Sequence, residues 1–214
     1  MGREQHAAWM ERTGLVAIVR LDSPGELVQV AKAIAAGGVS VIEFTMTTPG
    51  ALRTIEESSK ALGGEVLIGA GTVLDAATAR AAILAGAEFI VAPTLSPEVI
   101  EMCHRYDKVV VPGAYTPTEI LAAWELGADF VKLFPAEVGG PAYLQAVRAP
   151  LPQVKLIAVG GVTLETAAGF IRAGAVALGV GSSLVNKKVV AGGRFEELTA
   201  TARALSQAVQ EARK

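Results

Sequence analysis

The chain has 214 residues, 51% of them hydrophobic and 19% charged, with a mean hydropathy of +0.44. That much apolar side chain offsets the entropy of folding and excludes an intrinsically disordered chain. Nineteen basic against 21 acidic residues give a net charge of −2, so no basic field marks a nucleic-acid partner, and the single cysteine, Cys103, excludes an internal disulfide framework.

The segment before Leu15 sets charges on both sides of its few apolar residues and has no apolar signal core. Position 6 lacks the Ser or Thr that would make Gly2 a convincing myristoylation site. The segment reads as an extra helix, placed to cap one end of the fold. Strand-like runs rich in Val, Ile or Phe then centre near Ile18, Ile42, Ile68, Ile90, Val110, Val131, Ile157 and Leu178. Subtracting those numbers gives spacings of 20 to 26 residues, and each run is short and apolar, as buried parallel strands are. Alanine-rich stretches of helical spacing lie between them, for example Glu26 to Ala36, Ala76 to Ala85 and Thr116 to Leu126.

Helix starts are marked at Ser23-Pro24, Ser96-Pro97 and Thr116-Pro117, each pairing a capping hydroxyl with a proline suited to the first turn. Helix ends are marked by glycine in Ala36-Gly37-Gly38-Val39, Ala85-Gly86-Ala87-Glu88, Leu126-Gly127-Ala128-Asp129 and Ala173-Gly174-Ala175-Val176. Ala191-Gly192-Gly193 reads as a loop before a final amphipathic helix from Arg194. Eight βα units in roughly 200 residues predict a (β/α)8 TIM barrel with an extra N-terminal helix, one domain spanning 1–214. The rival is a doubly wound open sheet, but no Gly-x-Gly-x-x-Gly opens the first unit. Apolar runs are too short for a membrane helix, so the expectation is a soluble, cytoplasmic protein with no membrane or nucleic-acid partner.

In a barrel, function gathers where strands end. The first strand ends at Arg20, the second carries Glu43, the third runs into Gly69-Ala70-Gly71-Thr72, and the sixth reads Phe130-Val131-Lys132-Leu133-Phe134-Pro135. Strand alternation sets Phe130, Lys132 and Phe134 on the inward face and Val131 and Leu133 against the helices. An ammonium among aromatic rings is costly to keep charged, and a neutral amine is the nucleophile that forms a Schiff base with a ketone. The alternative is a lysine whose stem reaches solvent or pairs with a carboxylate. Glu43 shares its face with Val41 and Thr45, so a barrel would place it in the cavity with Lys132. Schiff-base chemistry needs such a proton shuttle at several steps. The bland alternative is a buried structural ion pair.

The strands near 157 and 178 run into Gly160-Gly161-Val162 and Gly179-Val180-Gly181-Ser182-Ser183. Barrels often bind phosphate between these two loops, with Ser182 and Ser183 as added donors; the alternative is that the glycines only make tight turns. His6 and His104 lie off the strand ends, so no zinc ligand cluster is expected. Cys103 beside Met102 reads as core packing, and Gly69-Ala70-Gly71 lacks the spacing and lysine of a P-loop.

These residues resemble a known family. The strings Ile42-Glu43-Phe44-Thr45, Gly69-Ala70-Gly71-Thr72-Val73, Val111-Pro112-Gly113, Lys132-Leu133-Phe134-Pro135-Ala136-Glu137 and Gly160-Gly161-Val162 are similar to those of the 2-keto-3-deoxy-6-phosphogluconate (KDPG) aldolases, which also act on 4-hydroxy-2-oxoglutarate (KHG). The likeness runs from about Val16 to the final helix. It implies a cofactor-free class I aldolase, a homotrimer, cleaving a phosphorylated keto sugar acid to pyruvate and glyceraldehyde 3-phosphate. It also implies roles: Lys132 for the Schiff base, Glu43 for proton transfer, Thr72 on the pyruvyl group, and Arg20, Pro93 and Phe134 lining the pocket. Gly160, Gly161 and Ser182 match the phosphate site. Some members carry a carboxylate-binding arginine where this chain has Thr47, which points to Arg20 for the substrate carboxylate. Two other classes stay open on the same scaffold: a phosphate-binding isomerase or synthase without a covalent intermediate, and a non-catalytic phosphate-binding barrel.

Overall fold

A computed structural model describes residues 1–21 and 26–214. The expected helix start at Ser23-Pro24 lies outside the described residues. Each expected strand is present: β1 (Leu15–Val19), β2 (Val41–Thr45), β3 (Leu67–Gly71), β4 (Phe89–Val91), β5 (Val109–Val111), β7 (Val131–Leu133), β8 (Leu156–Val159) and β9 (Ala177–Val180). One more, the two-residue β6 (Gly113–Ala114), carries no apolar run to mark it in the sequence. Between them run α2 (Leu27–Ala36), α3 (Ala51–Leu62), α4 (Ala76–Leu84), α5 (Pro97–Arg105), α6 (Pro117–Glu125), α7 (Gly140–Arg148) and α8 (Leu164–Arg172). Helix α1 (Arg3–Thr13) precedes the first strand, and a short α9 (Lys187–Ala191) and the long α10 (Phe195–Ala212) follow the last.

The caps carry the expected chemistry. Ser96 and Thr116 accept from the backbone N–H groups of Val99 and Glu119, at 3.4 and 3.3 Å, and Glu119 reaches back to the Thr116 N–H at 2.8 Å. Gly38, Gly86, Gly127 and Gly174 all take positive φ, between 87° and 106°, where a side chain would be strained.

All strand pairs are parallel, in the order β5-β4-β3-β2-β1-β9-β8-β7-β6. The two ends of that order, β5 and β6, are consecutive in the chain and separated only by Pro112. The sheet therefore closes on itself through one interrupted strand. Proline removes a ladder donor at the seam, while its carbonyl still accepts from the Lys132 N–H at 2.8 Å.

Alternation divides the core into two layers. Outward residues such as Ile42, Phe44, Ile68, Val110, Val131, Leu133 and Leu178 pack against the helices. Inward residues fill the barrel, with Val16, Val41, Leu67, Phe89, Val109, Phe130, Ile157 and Val159 packed on Met10 of α1. Met10 is fully buried, so truncating it to alanine would cost about 2–5 kcal/mol. Helix α1 thus closes one end of the barrel, and polar contacts fasten it there. Arg3 grips Asp129 at 2.8 and 3.0 Å, Glu11 pairs with Lys155, and Arg213 donates to the carbonyls of Glu11, Arg12 and Val176.

Candidate active site

Lys132 is the middle residue of β7 and Glu43 the middle residue of β2, both on the inward face. They are 6% and 2% exposed, and both line one narrow interior cavity of about 10 Å³. Its walls are Val16, Ile18, Val91, Val111, Ile157, Val159 and Gly179, and its floor is Met10. Sequence periodicity gives no sign of Met10, because α1 stands outside the βα repeat.

The two charged groups share a chamber without clasping each other. No Lys132 nitrogen to Glu43 oxygen distance falls within the 4.0 Å of an ion pair. The geometry therefore disfavours a structural ion pair between them. The Lys132 Nζ instead stands 4.7 Å from the centroid of the Phe134 ring, which is 37% exposed. Phe130 lies in the deeper apolar layer, with Lys155 rather than Lys132 over its ring, so one aromatic ring and not two meets the Lys132 ammonium.

Burial dominates the electrostatics. It pushes the Glu43 carboxyl up to about 7, with the nearby charges of Lys132 and Arg20 pulling the other way. Burial also lowers Lys132, opposed by Glu43 and assisted by Arg20. Both shifts favour the neutral form of each group. An uncharged amine beside a carboxyl that can give or take a proton is equipped for carbonyl chemistry.

The remaining residues follow the C-terminal ends of their strands. Arg20 lies just past β1, exposed, yet near enough for its charge to act on both buried groups. Thr72 follows β3 with φ +58°, a backbone region that costs a non-glycine residue about 1–3 kcal/mol and so must be held by its surroundings. Pro93 follows β4 and packs against Gly113, where a Cβ would come within 2.3 Å of the Pro93 carbonyl. Thr47 is exposed; its hydroxyl donates to the Thr45 hydroxyl at 3.2 Å, and Thr45 and Thr48 are also 3.2 Å apart. A small cluster of hydroxyls thus ends β2.

At the other loops, Gly160 and Gly161 take φ of +102° and +66°, a region that strains any side chain. They precede α8, whose N-terminus is capped by Thr163. Ser182 is exposed. Ser183, the other serine considered as a donor, is committed elsewhere: its Oγ donates to the Val162 carbonyl at 2.6 Å. Glu137 lies against Gly161, where a Cβ would stand 2.5 Å from its Oε2. The sequence motif contains this carboxylate without indicating that placement.

Other groups are accounted for by packing. Burial pushes the Cys103 thiol up to about 12, leaving it unreactive. His104 contacts the Gly127 carbonyl at 3.0 Å. Among the described residues no three His, Cys, Asp or Glu side chains gather into a metal site. No described helix is long and apolar enough to cross a membrane. A larger surface depression between α2 and α10 is lined by helix residues alone, including Gln29, Lys32 and Phe195.

Known proteins share this fold. The family model for KDPG and KHG aldolase matches residues 7–201. The 2-dehydro-3-deoxy-6-phosphogalactonate aldolase of Escherichia coli K12 is 36% identical over 95% of this chain and 98% of its own. The 2-dehydro-3-deoxy-phosphogluconate aldolase of Treponema pallidum is 34% identical over 94% and 95% respectively. A solved native KDPGal structure superimposes with a TM-score of 0.87 at 37% identity, covering 92% of this chain and 95% of that one. With its barrel, its inward lysine and glutamate and its match along nearly the whole length, the chain belongs to the KDPG and KHG aldolase family.

Proposed function

We propose that the protein is a class I aldolase that cleaves 2-keto-3-deoxy-6-phosphogluconate to pyruvate and glyceraldehyde 3-phosphate, and also accepts 4-hydroxy-2-oxoglutarate. The observation that carries this is the buried amine and carboxyl, Lys132 and Glu43, in one cavity without an ion pair between them. Membership of the family supports the substrate class, and the phosphogalactonate relative makes the C4 epimer the natural comparison.

The chemistry follows from the geometry. Lys132 Nζ, with its charged form disfavoured by burial, attacks the C2 ketone; loss of water gives a protonated imine. Glu43 takes the C4 hydroxyl proton, directly or through water, and the C3–C4 electron pair flows into the imine as the aldehyde leaves. The resulting enamine takes a proton back at C3, and hydrolysis frees pyruvate and the amine. The glycines at 160 and 161 and Ser182 are assigned to the phosphate, at the start of α8. Arg20 is assigned to the carboxylate. The assembly is assigned as a homotrimer, which sedimentation equilibrium would measure.

Pyruvate with borohydride tests the core of this reading. The peptide containing Lys132 should gain a reduced pyruvyl adduct, and Lys132→Ala should lose both adduct and turnover. A wild-type protein that is never trapped would instead support an isomerase, a synthase or a non-catalytic barrel.

A further inference from the structure

Glycine at position 71 has no conformational reason to be there. Its φ is not positive, it is the last residue of regular strand β3, and it pairs with Thr45 of β2 in ordinary parallel register. Its reason is spatial. A Cβ built on Gly71 would stand 2.3 Å from Glu43 Oε1, 2.6 Å from Cδ and 3.1 Å from Oε2. The carboxyl of Glu43 therefore occupies the volume where a side chain of the neighbouring strand would project. Glu43 itself pairs with Gly69, two residues earlier on the same strand, so its side chain reaches diagonally toward the mouth. Gly69 serves a different neighbour: a Cβ there would meet the Phe89 ring at 2.4 Å.

We infer that Gly71 is a positioning residue that seats the Glu43 carboxyl against β3 and so keeps it apart from the Lys132 amine. Resting on the aldolase reading, this means that the motif glycine holds open the gap in which substrate carbon must lie between nucleophile and base. The surrounding walls are packed apolar side chains, so a carboxyl driven off Gly71 has little room except the cavity it shares with Lys132. There it would pair with the ammonium and hold the lysine in its charged, non-nucleophilic form.

The test combines Gly71→Ala with Glu43→Ala. Folding is followed by circular dichroism, and function by the rate of borohydride trapping with pyruvate across pH 5 to 10. Gly71→Ala alone should slow trapping at pH 7 by about tenfold to a hundredfold, and the rise with pH should shift upward by about one unit. In the Glu43→Ala background the same glycine substitution should change neither rate nor profile, because no carboxyl remains to be displaced. If Gly71→Ala fails to fold while the double variant folds, the clash with Glu43 is shown directly. Equal losses in both backgrounds, an unshifted profile, or two variants that both fail to fold would overturn the inference. A wild-type protein that pyruvate does not trap overturns the aldolase reading itself, which these outcomes keep separate.

Discussion

The Lys132 Nζ stands 4.7 Å from the centroid of the Phe134 ring, and that ring is itself more than a third exposed. A ring so placed acts on the amine in two opposed ways. Its face attracts the ammonium, while its bulk excludes water and disfavours charge. Burial is the larger influence on Lys132, so shielding should win. Phe134→Leu is expected to let water in, raise the lysine and slow pyruvate trapping at pH 7 by about tenfold. Recovery of the wild-type rate at higher pH would confirm the cause; a loss that persists at all pH values would assign the ring to substrate contact.

Glu43→Gln should separate catalysis from stability. Turnover should fall by about two to four orders of magnitude, since the base is gone and the shape is kept. Stability should move the other way. Glu43 ordinarily titrates near 4.5 and is pushed up to about 7, so between those values the folded state holds a proton that the unfolded chain has released. Stability from this group is fully present below 4.5 and is lost as pH rises through 7. The glutamine variant should gain up to about 3 kcal/mol relative to wild type at pH 8 and little at pH 4. Denaturant titrations at both pH values measure this, and a pH-independent difference would count against the buried neutral carboxyl.

Ser182 and Ser183 are adjacent but should respond differently. Ser182→Ala should raise KM for the phosphorylated substrate by about tenfold or more and leave 4-hydroxy-2-oxoglutarate unaffected. Ser183→Ala breaks the 2.6 Å bond that ties this loop to Val162, so it should lower the melting temperature and weaken both substrates alike. Gly161→Val is a less clean probe than the sequence suggests: its side chain would strike Glu137 before it crowded a phosphate. Identical profiles for the two serine variants would remove Ser182 from the phosphate site.

Arg20→Lys distinguishes a clamp from a tuner. A guanidinium holds a carboxylate through two parallel hydrogen bonds that lysine does not reproduce. As a clamp, Arg20 gives the enzyme its preference for pyruvate over a keto analogue without the carboxylate, and the variant should lose most of that preference. As a tuner of Glu43 it would leave the preference intact and shift the pH–rate profile instead.

Much of this is legible in the sequence because burial punishes exceptions. Eight runs of β-branched and aromatic residues announce buried parallel strands, and a lysine or glutamate inside such a run stands out against its cost. Placement between loops is less legible. Nothing in the order Ser182-Ser183 tells which hydroxyl faces a neighbouring carbonyl. The string Val111-Pro112-Gly113 does not show that the proline is the seam of the barrel. Thr72 gives no hint of its positive φ, since threonine ordinarily avoids that region. Met10 is invisible for another reason: it reaches the cavity from a helix that breaks the repeat.

On the proposed chemistry, the one-sided placement of Glu43 also predicts a handedness. In the proposed reaction an enamine held by Lys132 would meet its proton donor on the β2–β3 side, where the Glu43 carboxyl rests over Gly71. Val111, Ile157 and Val159, which line the rest of the chamber, have no proton to offer. On the proposed chemistry the new C–H bond at C3 is therefore expected to form on a single face of the planar carbon. Ordinary pyruvate hides this, because its methyl hydrogens are alike. With three hydrogen isotopes distributed between substrate and solvent, the methyl group becomes a stereocentre of one configuration, set by the wall on which the carboxyl lies.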